Sequence, residues 1–161
     1  MKLQHFESNE YSWVEGDYTV STERARIDIR QLWQHYRDEA YWAKDLEYAR
    51  LKAAIGGSLP IGVYDTSGAV AGFCRVVTDG ATFAYMRDVL ILEAHRGRGL
   101  GSALSKRALR HPDLARVNYW LLRTVDAHGV YAKFGFTALP DAQTFMIRRT
   151  ERIMWPEDEQ L

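Results

Sequence analysis

Three observations predict an α/β domain with a mixed, mostly antiparallel sheet of six to seven strands and about four flanking helices. Two amphipathic helical stretches come before any long strand. Three strands then follow one another, joined by the turn signals Asp65-Thr66-Ser67-Gly68 and Asp79-Gly80. The last of them runs into a glycine-rich loop and a helix, after which strand and helix alternate. Antiparallel hairpins on one side and strand–helix crossovers on the other argue against a doubly wound dinucleotide-binding sheet.

Composition fits one soluble domain. The chain has 161 residues, 47% hydrophobic and 26% charged, enough to bury a core. Lys plus Arg, 21, equals Asp plus Glu, 21, which disfavours a mainly electrostatic nucleic-acid or membrane binder. The single cysteine, Cys74, excludes an internal disulfide and a Cys-based zinc site, and no metal is expected. It sits in an apolar run and reads as a small core residue. No stretch is long enough to span a bilayer and Met1–Glu7 lacks an apolar signal core, so a cytoplasmic location is expected.

Residues 1–16 read as an N-terminal extension that is ordered if Tyr11 and Trp13 dock, and residues 17–150 as the domain. Tyr18–Ser21 is a short β-branched and aromatic strand. Ile29, Leu32, Trp33 and Tyr36 form one apolar helical stripe, and Asp28 with Gln31 resembles a capping box. After a linker carrying Tyr41 and Trp42, Asp45 is expected to cap a second helix. That helix has Tyr48, Leu51 and Ile55 on one face and stops at Gly56. Leu59–Tyr64 is a strand. Ala69–Thr78 is apolar on both faces and is expected to be central. Asp79-Gly80 predicts a type I′ hairpin. Thr82–Leu92 is the return strand. A helix over about Gly99–Arg110 turns Leu100, Leu104 and Ala108 inward and ends at His111-Pro112. Tyr119–Val125 is another strand, and Asp126 is expected to cap a short helix ending at Gly135. Phe136–Leu139 and Gln143–Arg148 predict two closing strands around Pro140-Asp141. Residues 151–161 read as an acidic tail.

Strand, glycine loop and helix in succession make an anion site, because backbone N–H groups converge and the helix N-terminus adds a positive dipole end. Arg96 and Arg98 add charge at the same mouth. A phosphate-hydrolysing P-loop needs Gly-Lys-Ser/Thr, and Leu100-Gly101-Ser102 lacks the lysine. The dinucleotide fingerprint needs a first strand and a ribose acid, neither of which is present. From the residues alone, a diphosphate cradle and a tight turn with two solvated arginines both stand.

Arg96-Gly97-Arg98-Gly99-Leu100-Gly101 resembles the Arg/Gln-x-x-Gly-x-Gly/Ala signature of the GNAT superfamily of N-acetyltransferases, between the fourth strand and the third helix. Asp126 to Phe136, containing Val130-Tyr131-Ala132-Lys133-Phe134-Gly135-Phe136, resembles the family's later Leu-Tyr-x-Lys-x-Gly-Phe block. The resemblance implies acetyl-coenzyme A as cosubstrate and a primary amine, on a small molecule or a peptide, as acceptor. It implies neither nucleic acid nor membrane as partner, and it is compatible with a homodimer. It places the coenzyme's diphosphate on the loop formed by Arg96, Gly97, Arg98, Gly99, Leu100, Gly101 and Ser102. It places the pantetheine arm along Val89, Leu90 and Ile91, where the strand would splay from its neighbour. One N–H there would stabilise the oxyanion.

Tyr131 corresponds to the family's tyrosine facing the coenzyme sulfur, a neutral phenol able to protonate a thiolate. Thr124 stands where many relatives carry a pantetheine-contacting Asn. Glu93 stands where the family often has Pro, and Tyr85 where some relatives place a carboxylate base. Asp88, Glu93, Asp126 and His128 are candidate bases, with a water chain as the alternative. The acceptor side draws on Tyr36, Asp38, Glu39, Tyr41, Trp42, Phe83, Tyr85 and Pro140–Phe145; aromatics with acids suit a cationic amine. A CoA-binding protein of the same fold without turnover is the rival reading.

Overall fold

A computed structural model describes residues 8–40 and 43–148 of the chain. Its single sheet has six strands in sequence order: β1 (Ser12–Glu15), β2 (Tyr18–Ser21), β3 (Leu59–Tyr64), β4 (Val70–Thr78), β5 (Phe83–Ile91) and β6 (Tyr119–Leu122). All neighbours are antiparallel except β5 and β6, which are parallel because a helical crossover joins them. The helices are α1 (Ile29–Glu39), α2 (Tyr48–Gly56), α3 (Leu100–Leu109) and α4 (His128–Ala132). Among the described residues no helix is long and apolar enough to cross a membrane.

The sheet separates two cores. Phe73 and Cys74 are consecutive on β4 and fall in different clusters, as strand alternation demands. On one face Leu100, Leu104 and Ala108 of α3, at 4%, 0% and 0% exposure, meet Ile61, Val76 and Met86. On the other face Leu32 and Tyr36 of α1 and Leu51 and Ile55 of α2 cover Phe73, Leu90 and Leu92. Each fully buried leucine contributes about 2 kcal/mol of transfer free energy. The α1 stripe is buried as its periodicity predicts, and the Asp28 carboxylate accepts the Gln31 N–H at 2.9 Å. The Trp33 indole donates to the Leu46 carbonyl at 2.7 Å and ties α1 to the approach of α2.

The stretch before Tyr18 contributes more than an extension. Ser12–Glu15 pairs with β2 as the outermost strand. Tyr11 and Trp13 stack on each other and meet the buried His111 ring edge-on, while Glu15 accepts from Arg107 at 2.7 Å.

Several local expectations change. The N-cap of α2 is Glu47, not Asp45. Asp79-Gly80 is not a type I′ turn, because only Gly80 has positive φ. Instead the Asp79 carboxylate collects the N–H groups of Ala81, Thr82 and Phe83 and widens the loop. The strand predicted to Val125 stops at Leu122. Asp126 does not cap α4: the N-cap is Ala127, whose N–H is taken by the Thr124 hydroxyl at 3.0 Å. The helix ends at Ala132, and Gly135 follows with φ +85°. The two closing strands do not form. Asp141 captures the Thr144 N–H and hydroxyl at 2.8 Å in a short 3-10 turn, a local alternative to sheet pairing. Phe145, Met146 and Ile147 beyond it are exposed. Tyr41, Trp42 and the acidic tail lie outside the described residues.

Candidate active site

The glycine loop is built as its sequence predicts. The chain leaves β5 at Ile91 and turns through a 3-10 segment, Glu93–His95. It then passes Gly97 at φ +75° and Gly99 at φ +77°, a left-handed region open to glycine at little cost. Gly99 is the N-cap of α3 and supplies no side-chain acceptor, so the first N–H groups of that helix have no intrahelical partner. Leu100 plugs into the core and fixes the helix, while Gly101 and Ser102 stay half-buried at its mouth. His95 Nδ1 and the Tyr18 hydroxyl, 3.1 Å apart, pin the turn to β2.

Gly101, like Gly56 and Gly129, is a helical glycine with open space at its Cβ, but it alone stands in the first turn of α3. Its backbone is helical and a Cβ built there meets nothing within 4 Å. Neither conformation nor packing within the chain calls for glycine, which costs about 1 kcal/mol against alanine in a helix. A surface kept bare beside unpaired N–H groups suits the close approach of an anion. On this ground the loop fits a diphosphate.

Arg96 does not add its charge to that mouth. Its Nε donates to the Ile91 carbonyl at 3.0 Å, and its Nη2 lies 3.2 Å from Glu39 Oε2. Glu39 also accepts the Glu93 N–H at 2.6 Å, so α1 and the loop are tethered together. Arg98 is exposed.

β5 and β6 part where the sequence reading expects a splay. Their ladder runs from Phe83↔Tyr119 to Met86↔Leu122 and stops, whereas β5 continues through Val89, Leu90 and Ile91. The β4 side stays paired: Leu90 faces Phe73, Ile91 faces Gly72, and the Leu92 N–H donates to Ala71 at 3.0 Å. Strand alternation therefore turns the main-chain groups of Val89 and Ile91 away from β4 and into the split. Gly72 makes the tight seam possible, since a Cβ there would lie 2.9 Å from the Leu90 carbonyl oxygen.

A bulge sits at the same place. The partners pass from Phe73↔Leu90 to Arg75↔Arg87, two steps on β4 against three on β5. Asp88, in the bulge, has φ +56°, the one positive φ outside glycine among the described residues. That conformation costs about 1–2 kcal/mol for an L-residue and is least unfavourable for Asp and Asn. The Asp88 carboxylate bonds the Arg75 Nε, and Arg87 Nε lies 3.7 Å away. Its carbonyl accepts the hydroxyl of the buried Tyr36. A carboxylate between two guanidiniums is a poor candidate base. Arg75 carries a sequence signal of its own: a cation inside a strand with both faces apolar demands a buried partner.

Tyr131 projects from α4 into the core at 8% exposure and packs edge-on against Phe136 at 6.0 Å. Burial, then Cys74 and Asp126, raises its phenol pKa, so the proton is held at neutral pH. Burial pushes the Cys74 thiol up as well, which makes it inert. The Thr124 oxygen is spent on the Ala127 N–H, leaving its hydroxyl hydrogen as a donor. Glu93, Asp126 and His128 are exposed. On the acceptor side Tyr36 is removed from the expected lining: it is 0% exposed and belongs to the core. Phe83 and Tyr119 stack at 6.0 Å on an open part of the sheet, and Arg87 lies over the Tyr85 ring. Phe145 is half exposed.

Comparison with known proteins adds to this geometry. The profile of the acetyltransferase (GNAT) domain matches residues 58–138. An acetyltransferase-family protein of Gibberella zeae is 31% identical over 144 residues, covering 76% of this chain and 80% of its own. The crystal structure of a GNAT-family protein from Xanthomonas campestris pv. campestris is 40% identical with a TM-score of 0.78, over 83% of this chain and 93% of that one. The spermidine N-acetyltransferase of Vibrio cholerae, solved with CoA and spermine, shares the fold at 18% identity and a TM-score of 0.60, over 76% and 82% of the two chains.

Proposed function

The chain belongs to the GNAT acetyltransferase family, and from that premise we propose that it transfers an acetyl group from acetyl-CoA to a primary amine, directly, with both substrates bound together. The observation that carries the reading is Gly101, bare in a helix that does not need it, beside the unpaired N–H groups that open α3.

When bound, acetyl-CoA supplies an activated thioester carbonyl. The chain supplies the rest. The N–H groups from Gly97 to Ser102 hold the diphosphate. The main chain of Val89, Leu90 and Ile91 receives the pantetheine arm as an added strand, and one N–H there faces the carbonyl oxygen as charge develops on it. Tyr131 holds a proton at Oη for the leaving sulfur. Thr124 donates its hydroxyl hydrogen toward the arm. Asp88 is committed to Arg75, so the amine loses its proton to an exposed group among Glu93, Asp126 and His128 or to water.

Release of free thiol from acetyl-CoA, measured across a panel of primary amines and peptides, tests the proposal. Amine-dependent release is expected. CoA-induced thermal stabilisation with no release for any amine would favour the reading without turnover. Absence of any shift with CoA or acetyl-CoA would remove both.

A further inference from the structure

We infer that Tyr36, Asp88 and Arg75 form a lock that sets the β5 bulge and so aims the main chain of Val89–Ile91 into the split between β5 and β6. These are positioning residues, and their functional consequence rests on the reading proposed above.

The parts come from three elements. Asp88 provides the bulge itself, at φ +56°. Left-handed backbone at a non-glycine residue persists where the surroundings over-determine it, and here both ends of the residue are held. Arg75, from β4, takes the carboxylate with a side chain only 11% exposed. Tyr36, from α1, takes the carbonyl and is fully buried against Phe73. The two contacts fix different atoms of Asp88, so together they resist rotation of the peptide that follows. That peptide leads into Val89, three residues past Met86, the last residue of β5 paired with β6.

The consequence is directional. A bulge adds a residue to one strand and re-aims the main chain beyond it. Without the extra residue at 88–89, the groups now facing the split would face β4, since one step of register reverses every residue. Gly72 holds the exit of the bulge flat against β4, so the re-aimed stretch is clamped before and after. The lock also explains why a charge pair is spent inside this sheet, where an apolar pair would pack at less desolvation cost.

Tyr36→Phe is the sharpest test, because it removes one hydroxyl and little else. Amide hydrogen exchange in the free protein reads the lock without any cofactor. We expect exchange at Leu90 and Leu92, whose N–H groups face β4 beyond the bulge, to rise about tenfold, the scale of one lost hydrogen bond, with β3 and α3 unchanged. The kcat with acetyl-CoA is expected to fall by about tenfold or more through misaimed donors, while affinity for the 3′-phosphorylated ADP fragment of the coenzyme holds. Asp88→Asn, which keeps left-handed tolerance and an oxygen for Arg75, should lose less than Asp88→Gly, and serves if Tyr36→Phe does not fold. Unchanged exchange at Leu90 and Leu92, or an equal rise across the sheet, overturns the lock. A wild-type protein that binds neither CoA nor the ADP fragment overturns the functional reading, while the exchange result still decides the lock.

Discussion

β5 has two edges, and they behave differently. Toward β4 the ladder runs from Thr78↔Ala84 to Gly72↔Ile91, interrupted only by the bulge. Toward β6 it ends at Met86↔Leu122, leaving Val89, Leu90 and Ile91 without a strand beside them. One strand is thus sealed on one edge and open on the other over the same residues. The sealed edge carries the close contacts and the buried ion pair. Beyond the open edge, Val89 and Ile91 pack against the core cluster that contains Leu100 and Tyr131. Unpaired main chain is held out only because the opposite edge is over-determined. Close packing and open main chain occupy opposite edges of one strand.

The largest expected effect strikes the open side. Gly101→Val places its Cβ where nothing in the protein lies within 4 Å, so the melting temperature should hold while CoA affinity falls by roughly a hundredfold or more, by calorimetry. Gly99→Val is a poorer probe, because at φ +77° a β-branched residue strains the backbone whatever is bound. Intact binding in Gly101→Val would detach the loop from the coenzyme. Next comes Tyr131→Phe. A general acid is worth about 10–100-fold or more, so kcat should drop by that factor with CoA affinity intact. Unchanged turnover would take Tyr131 out of the chemistry.

The sealed side is broken by Gly72→Ala. Its Cβ would meet Ile91 Cδ1 at 2.6 Å and the Leu90 carbonyl oxygen at 2.9 Å. The methyl can rotate away but the carbonyl cannot, and overpacking of this kind costs about 1–2 kcal/mol by chemical denaturation. No loss of stability would mean that the seam is looser than its register shows.

The smallest effect lies at the far edge of the sheet. His111 is buried under Tyr11 and Trp13, and burial lowers its pKa, against a smaller opposing pull from Asp113. The unfolded chain, titrating near pH ~6.5, then binds more protons than the folded one. Stability from this group is whole above that pH and declines as pH falls through it. His111→Gln should flatten the pH dependence of the melting temperature between about pH 7 and 5. An unaltered slope would assign the acid sensitivity in this range to groups other than His111.

Much of this was legible in the residues. Periodicity found α1, α2 and α3 because each has one buried stripe, and Leu100, Leu104 and Ala108 face inward as spaced. The glycine loop was legible because φ > 0 at Gly97 and Gly99 is a local demand. Short segments were not. Asp45, Asp79 and Asp126 all carry cap or turn chemistry, but the N-caps fall at Glu47 and Ala127, and Asp79 closes a wider loop with its own carboxylate. Gln143–Arg148 has strand-forming residues, but Asp141 offers Thr144 a nearer partner than the outer edge of β6.

The sequence by itself determined the fold class, the glycine loop and the family, because these rest on local spacing and on glycines whose conformation is their own. Only the tertiary structure decided that β5 opens after Met86, that Arg96 turns back to Ile91 and Glu39, and that Tyr36 serves Asp88. Each of these joins residues 5 to 57 positions apart in the chain. No local pattern encodes such a pairing, because a partner brought by another element is fixed only when the cores on both faces of the sheet have packed.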